Sequence, residues 1–435
     1  MSKGSGAGEG AIDLGVQDAT RGAGGPAAVR GGPGWDSPPG AGPTPPSAAP
    51  AWAQPARSTR PDERHAIVFT GSGSEYFRIW IVNLLLIIVT LGLYYPWAKA
   101  RRLKYFYTST HVAGHALDFH GQPRQMLRGF LLTVLLFGAY VLAGEVSPVA
   151  GGIALLILAA VWPALFCASM RFRLANTSWR GLRLRFTGTV GDAYRAFAPV
   201  VAGMVAFGAL AALGQAMEEA WGKAAASVPT GLAVVAFYAC LPYTFYRVKK
   251  YQHEHYACGQ LKAQLRVEPG DFYKLFLKTG GVVLAAVVLA GAAFALMAGG
   301  ALAGAKGRGQ LALFMAILPG LLLMFVAFQA TVQPYFVSRL QNLLWTQTGN
   351  SRVRFKSQLT FMALALVTLR NWLLMLLTLG FYRPFAAVAA ARLKLQAVSL
   401  HTRFDLDQLT AAAGRGRDDA VGDAAADVFG LDLGL

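Results

Sequence analysis

Six apolar runs constrain this chain more than any other feature. They cover approximately 126–144, 150–168, 194–214, 229–246, 273–299 and 312–335. Most are close to the roughly 20 residues that carry a helix across a bilayer. Loops near 145–149, 215–228 and 300–311 join them in pairs. Hydrophobic residues make up 54% of the 435 residues and charged residues 14%, more apolar surface than soluble cores need. The expectation is an all-α integral membrane protein with six full transmembrane helices. Residues 1–65 are Gly/Ala/Pro-rich and cannot bury enough apolar surface to order, so they read as a disordered tail. That tail lacks the pattern of a signal peptide. Residues 66–405 form the polytopic membrane domain, and the polar residues 406–435 read as a mostly disordered tail.

Two further apolar segments, 77–95 and 361–382, bracket the six runs and copy one another. Asn83, Thr90, Gly92 and Pro96 recur at the same spacing as Asn371, Thr378, Gly380 and Pro384. Each bracket is an apolar stretch, a glycine break, and a proline that opens a new helix. Both ends of the first bracket look alike in charge and motif, yet about 20 residues cannot cross a bilayer twice. The expectation is therefore a re-entrant broken hairpin in each bracket. The rival is two ordinary spans, giving up to eight. Arg370 favours the hairpin, since a straight span would hold it near mid-bilayer at about 2.5–3.5 kcal/mol.

The connectors between the pairs recur as well. Pro96, Arg101, Lys104, Tyr105, Thr110, Gly114, Phe119 and Gly121 in the first correspond to Pro163, Ala168 (in place of an arginine), Arg171, Phe172, Thr177, Gly181, Phe186 and Gly188 in the second. The third keeps Pro242, Arg247, Lys250 and Tyr251, and the fourth Pro334, Arg339 and, shifted by two residues, Phe355. Each unit reads as a helix leaving the membrane at a proline, a Gly turn, a short strand ending Phe-x-Gly, and the next helix. The connectors hold most of the ordered basic residues, so the positive-inside rule makes them and their short β-strands cytoplasmic. The net charge of +18 is accordingly read as topogenic charge facing anionic phospholipid headgroups, not as a nucleic-acid footprint.

The motifs Phe69-Thr70-Gly71, Glu75-Tyr76-Phe77, Asn83-Leu84-Leu85, Thr90 to Lys99 and Phe119-His120-Gly121 resemble the bacterial inner-membrane YjgN family, a domain of unknown function numbered 898. The resemblance runs from Ile67 to about Asp405. It implies a multi-pass protein of the bacterial inner (cytoplasmic) membrane and implies no activity.

Broken helices beside internal repeats are how many transporters build binding sites. Asn83, Thr90, Arg370, Asn371 and Thr378 are thus candidates for an intramembrane polar centre, with Gly92, Pro96, Gly380 and Pro384 as the helix breaks. Arg101, Arg102, Lys104, Arg171 and Arg247 are candidates for lipid or anion contact. His111, His115 and His120 with Asp118, and His253-x-His255 near Cys258, lack metal-ligand spacing, so no metal or cofactor is expected. No catalytic motif appears, so no enzyme is expected. The function read from the sequence is transport or permeation of a small, unidentified solute. The alternative is a non-transporting protein that binds anionic lipid or scaffolds partners through its basic cytoplasmic face. The sequence does not fix an oligomeric state.

Overall fold

The computed structural model describes residues 63–259, 261–304, 310–403 and 406. Among them the helices form five antiparallel pairs: α1 (Gly73–Val89) with α2 (Tyr95–Thr108), α3 (Pro123–Val146) with α4 (Pro148–Ala175), α5 (Val190–Trp221) with α6 (Lys223–Glu254), α7 (Pro269–Gly304) with α8 (Gln310–Gln347), and α9 (Phe361–Leu377) with α10 (Arg383–Gln396). Six of these helices, from α3 to α8, are long and apolar enough to cross a membrane. The pairs are separated by strands β1 (Glu63–Phe69), β2 (Thr110–Val112), β3 (His115–Phe119), β4 (Thr177–Trp179), β5 (Leu182–Phe186), β6 (Tyr256–Cys258), β7 (Leu261–Lys262), β8 (Gln264–Leu265), β9 (Thr348–Gly349), β10 (Val353–Ser357) and β11 (Val398–Thr402). Of the expected tails 1–65 and 406–435, residues 1–62 and those beyond 406 lie outside the described residues; Glu63, Arg64 and His65, read as tail, instead begin β1, where pairing with β11 orders them.

The turns inside the long pairs are tighter than the sequence suggests. Ser147 both ends α3 and caps α4, its Oγ accepting from the Ala150 N–H at 3.0 Å, with Pro148 in the first turn. Gly222, at φ +82, alone separates α5 from α6. The loop expected at 215–228 is helix on both sides of that glycine, because its Ala, Met and Glu residues are good helix formers.

All the strands belong to one antiparallel sheet, in the order β7-β6-β5-β4-β3-β2-β1-β11-β10-β9-β8. The outermost strands, β7 and β8, are consecutive in the chain. Ala263 between them donates its N–H to Tyr256 on one side, and Arg266 just beyond donates to Gln347 on the other. The sheet is therefore a nearly closed ring, its two ends carried by one stretch of chain. The N-terminal strand β1 takes part in that closure, pairing β11 from Glu63↔Thr402 to Ala66↔Ser399 and β2 from Ile67↔Val112 to Phe69↔Thr110. The helices follow the same circle: each returning helix packs on the next outgoing one, and α10 packs on α1.

Local chemistry explains the recurring motifs. The β2–β3 and β4–β5 turns hold Ala113-Gly114 and Arg180-Gly181 at positive φ in both positions, as a two-residue hairpin of matching twist requires. In Phe-x-Gly, the strand's last ring folds over the glycine. A Cβ on Gly121 would lie 2.4 Å from Phe119 Cζ, and one on Gly188 would lie 2.6 Å from Phe186 and 2.8 Å from the Tyr251 ring. Gly188→Ala should therefore destabilise the protein by about 1–3 kcal/mol through overpacking. Gly144→Ala, where a Cβ meets nothing, should not. Thermal melting of the two variants in detergent checks this.

Candidate functional site

The two brackets share one backbone design. After α1, Leu91 and Gly92 adopt φ +50 and +93; after α9, Leu379 and Gly380 adopt φ +50 and +92. The Gly92 N–H bonds back to Ile87 and the Gly380 N–H back to Met375, closing off the last turn. Pro96 and Pro384 then open the returning helices. Thr90 and Thr378 tie each break together. Their hydroxyls donate to Leu86 and Leu374 at 2.7 Å and accept from the N–H groups of Tyr94 and Tyr382 at 3.0 Å. Tyr105 at the end of α2 donates to the Ser72 carbonyl at the start of α1, so the segment comes back to where it began. Leu91 and Leu379 at the two tips are 94% and 90% exposed. A leucine at positive φ costs about 1–2 kcal/mol. Leu91→Asn should recover part of that, visible as a higher melting temperature in detergent.

Asn83 and Asn371 sit at equivalent places on α1 and α9, and both are buried. The Asn371 amide donates to the Ala386 carbonyl across to α10 at 3.3 Å. The Oδ1 atoms of both asparagines have no hydrogen-bond partner. Asn371 lines a cavity of about 240 Å³ with Gln333, Thr368 and Lys394. Arg370 is exposed and does not line that cavity.

Of the basic candidates, Arg171 and Arg247 have structural partners. Arg171 donates through Nε and Nη2 to the Gly188 carbonyl at 3.2 and 2.7 Å. Arg247 donates to the Arg195 carbonyl and lies 5.9 Å from the Tyr243 ring centroid. Arg101 lies over Tyr94 and Arg102 over Phe106. Lys104 is exposed. The Arg171 contact belongs to a series. Eight residues after the buried prolines Pro163, Pro334 and Pro384 stand Arg171, Asn342 and Arg392, and each donates to the carbonyl that opens the next unit: Gly188, Leu359 and, across the ring closure, Gly71. Arg392 and Asn342 escaped the sequence reading; their offset from proline was the available signal.

Against the arc of the sheet that runs from β5 through β6 and β7 to β9 and β10 lies a chamber of about 560 Å³. The ends of α2, α4, α6 and α8 contribute to it with those strands, among them Tyr107, Arg173, Lys249, Trp345 and Phe355. Alternate residues of β5 and β10 divide between its faces: Leu184 and Phe355 line the chamber, while Arg183, Arg185, Arg354 and Lys356 are exposed. Burial pushes the Tyr256 phenol up to about 12 and raises the Cys258 thiol above its usual range. Two more cavities lie between neighbouring returning helices. One of about 510 Å³ between α2, α3 and α4 shares Arg173 with the chamber. One of about 500 Å³ between α4, α5 and α6 shares Lys249 and Gln252. His115 and His120 line one cavity with Asp118, but the ring nitrogens bond locally: His120 to Ser178, His253 to Thr348 and His255 to the Tyr251 carbonyl. Among the described residues no three His, Cys, Asp or Glu side chains are placed to hold a metal.

The family model "Bacterial protein of unknown function (DUF898)" matches residues 64–428. The chain is 30% identical over 123 residues to inner membrane protein YjgN of Escherichia coli K12, covering 28% of this chain and 31% of that protein. It is 28% identical over 133 residues to inner membrane protein YjgN of Salmonella typhimurium LT2, covering 30% and 33%. The match thus spans about a third of the length of these relatives. No solved structure matches. The family match runs from β1 past β11, over every helix described, and the chain therefore belongs to the bacterial DUF898 family as a multi-pass helical membrane protein.

Proposed function

We propose that the protein is a permeation pathway for a small solute in the bacterial inner membrane, with the strand ring as its cytoplasmic vestibule. The observation that carries this reading is the sharing of Arg173, Lys249 and Gln252 between the cavities among the helices and the chamber against the ring. A solute leaving either helix cavity toward the ring meets the same side chains that line the chamber. Transporter sites are commonly built where broken helices expose backbone to such cavities.

Charge and pairing support a cytoplasmic ring. Arg183, Arg185, Arg354 and Lys356 on the outer face of the ring suit the cytoplasmic side. Strands hydrogen-bonded to one another share one aqueous compartment, so β1 and β2, which flank α1 and α2, lie on the same side of the bilayer. That supports the re-entrant reading of 77–95, and the pairing of β10 with β11 supports it for 361–382. The relatives' names agree with an inner-membrane location.

Cys258 lines the chamber and serves as a built-in probe once Cys167 and Cys240 are replaced by alanine. A membrane-impermeant maleimide should label it in inverted vesicles and not in intact cells. The raised thiol pKa lowers the thiolate fraction at neutral pH. Labelling should accelerate about tenfold per pH unit, continuing beyond about pH 8.5. Liposomes containing the protein should equilibrate at least one of phosphate, glycerol or arabinose faster than empty liposomes, and labelled Cys258 should slow that exchange. Equal rates with and without protein for all three would reject this pathway for solutes of that size.

A further inference from the structure

The cavity between α2, α3 and α4 differs in kind from its relative at Asn371. Its walls include Tyr95, Met126, Phe130, Trp162, Leu165 and Phe166, with Thr133 on α3, and its charged groups stand on the returning helices beyond their prolines: Lys99 on α2 and, beside Ser169, Arg173 on α4. Both returning helices run toward the strand ring. Lys99 stands three residues past Pro96 and Arg173 ten past Pro163, so the two backbone levels differ by roughly 10 Å at 1.5 Å per residue, a separation that the lysine stem shortens by reaching toward water and that leaves room for an anion between the two charges. Both charges bear on one space, and Arg173 acts electrostatically on Lys99. Among the described residues neither has a carboxylate within ion-pair distance. Two cations facing one cavity without a counter-charge repel unless an anion sits between them.

The mouth of the cavity is apolar and open. Trp162 is 51% and Tyr95 46% exposed, and both stand just before the prolines, at the end away from the ring. A volume of about 510 Å³ lies within the range of small-molecule sites. Chain-lined at one end and doubly cationic at the other, the space has the polarity of a bilayer lipid standing in its own leaflet.

We propose that this cavity is a binding site for an anionic phospholipid, with one acyl chain among Tyr95, Phe130 and Trp162 and the phosphate held between Lys99 and Arg173. The site shares Arg173 with the proposed solute path, but the lipid proposal does not rest on that path: it rests on the cation pair and the aromatic walls, and lipid could occupy the cavity in a protein that conducts nothing. Ser169 adds a neutral hydrogen-bond donor at the headgroup level. Bidentate geometry makes Arg173 the stronger partner and Lys99 a point charge.

The test uses the full chain, purified in detergent and stripped of lipid, with native mass spectrometry against added palmitoyl-oleoyl phosphatidylglycerol, palmitoyl-oleoyl phosphatidylcholine and inorganic phosphate. One phosphatidylglycerol should bind preferentially over phosphatidylcholine and raise the melting temperature. Lys99→Gln with Arg173→Gln should weaken it at least roughly tenfold, as loss of charged hydrogen bonds implies. Should the double variant fail to fold, Thr133→Phe, which fills the cavity and leaves both cations, should expel the lipid equally; Arg101→Gln, outside the cavity, should not. Equal binding of phosphatidylcholine, phosphatidylglycerol binding unchanged in the Lys99/Arg173 and Thr133 variants, or full competition by inorganic phosphate alone would overturn the proposal.

Discussion

Leu400→Pro should leave almost no monodisperse protein. Leu400 is buried in the middle of β11, paired with His65 of β1 on one side and Phe355 of β10 on the other. Truncating a buried leucine costs about 2–5 kcal/mol. Proline also removes a ladder N–H and leaves an acceptor unmade, about 1–3 kcal/mol more. Against a total stability on the order of 5–15 kcal/mol, that combination is enough to empty the folded state. Leu400→Ala should be intermediate, and Arg392→Ala, which removes the bond to Gly71 across the same seam, should cost about 1.5–3 kcal/mol. Size-exclusion profiles and melting of fluorescent fusions in detergent rank the three. If Leu400→Pro elutes and melts like the parent, the N- and C-terminal strands do not close the ring.

Replacing both bracket asparagines should stabilise the protein while stopping transport. The Oδ1 atoms of Asn83 and Asn371 are buried and unpartnered. Leucine, similar in size, removes a polar atom that gains nothing from burial, worth about 1–3 kcal/mol per site where the shape is kept. Asn371→Leu also gives up the long bond to Ala386, so its gain should be the smaller. A group kept at such a cost is expected where it contacts a transient ligand. Asn83→Leu/Asn371→Leu should therefore melt higher and exchange solute at the rate of empty liposomes. A variant that melts higher and still conducts would reduce the asparagines to packing residues.

Sequence and structure agree best where one residue's chemistry dictates one conformation. The six long helices follow from length and apolarity, and the breaks from Gly92, Gly380, Pro96 and Pro384, because only such residues suit a positive φ or a missing N–H. The ring was not legible. Its strands are two to seven residues long, too short for a period-two signal to rise above noise. The pairing of Glu63 with Thr402 joins opposite ends of the chain and leaves no local trace. Which residues of the candidate polar centre are buried was only partly legible. Asn83 and Asn371 stand out as polar atoms in apolar runs, and they are the buried pair. Thr90 and Thr378 share that pattern yet spend their hydroxyls on the helix break, a use that spacing alone does not separate from ligand binding. Lys99, Lys249 and Arg173 are undistinguished among the basic residues of the sequence; their places beside cavities depend on helices that come together only in three dimensions.

The sidedness of the strands tests the account most directly. In a cysteine-free background, Arg64→Cys, Ala116→Cys, Arg183→Cys, Lys356→Cys and Arg403→Cys place single thiols along the ring, one pair flanking each bracket. An impermeant maleimide applied to inverted vesicles and to intact cells should label all five from the cytoplasmic face alone. Labelling of Arg64→Cys and Ala116→Cys from opposite faces, or of Lys356→Cys and Arg403→Cys from opposite faces, would contradict the nearly closed ring and both returning hairpins with it.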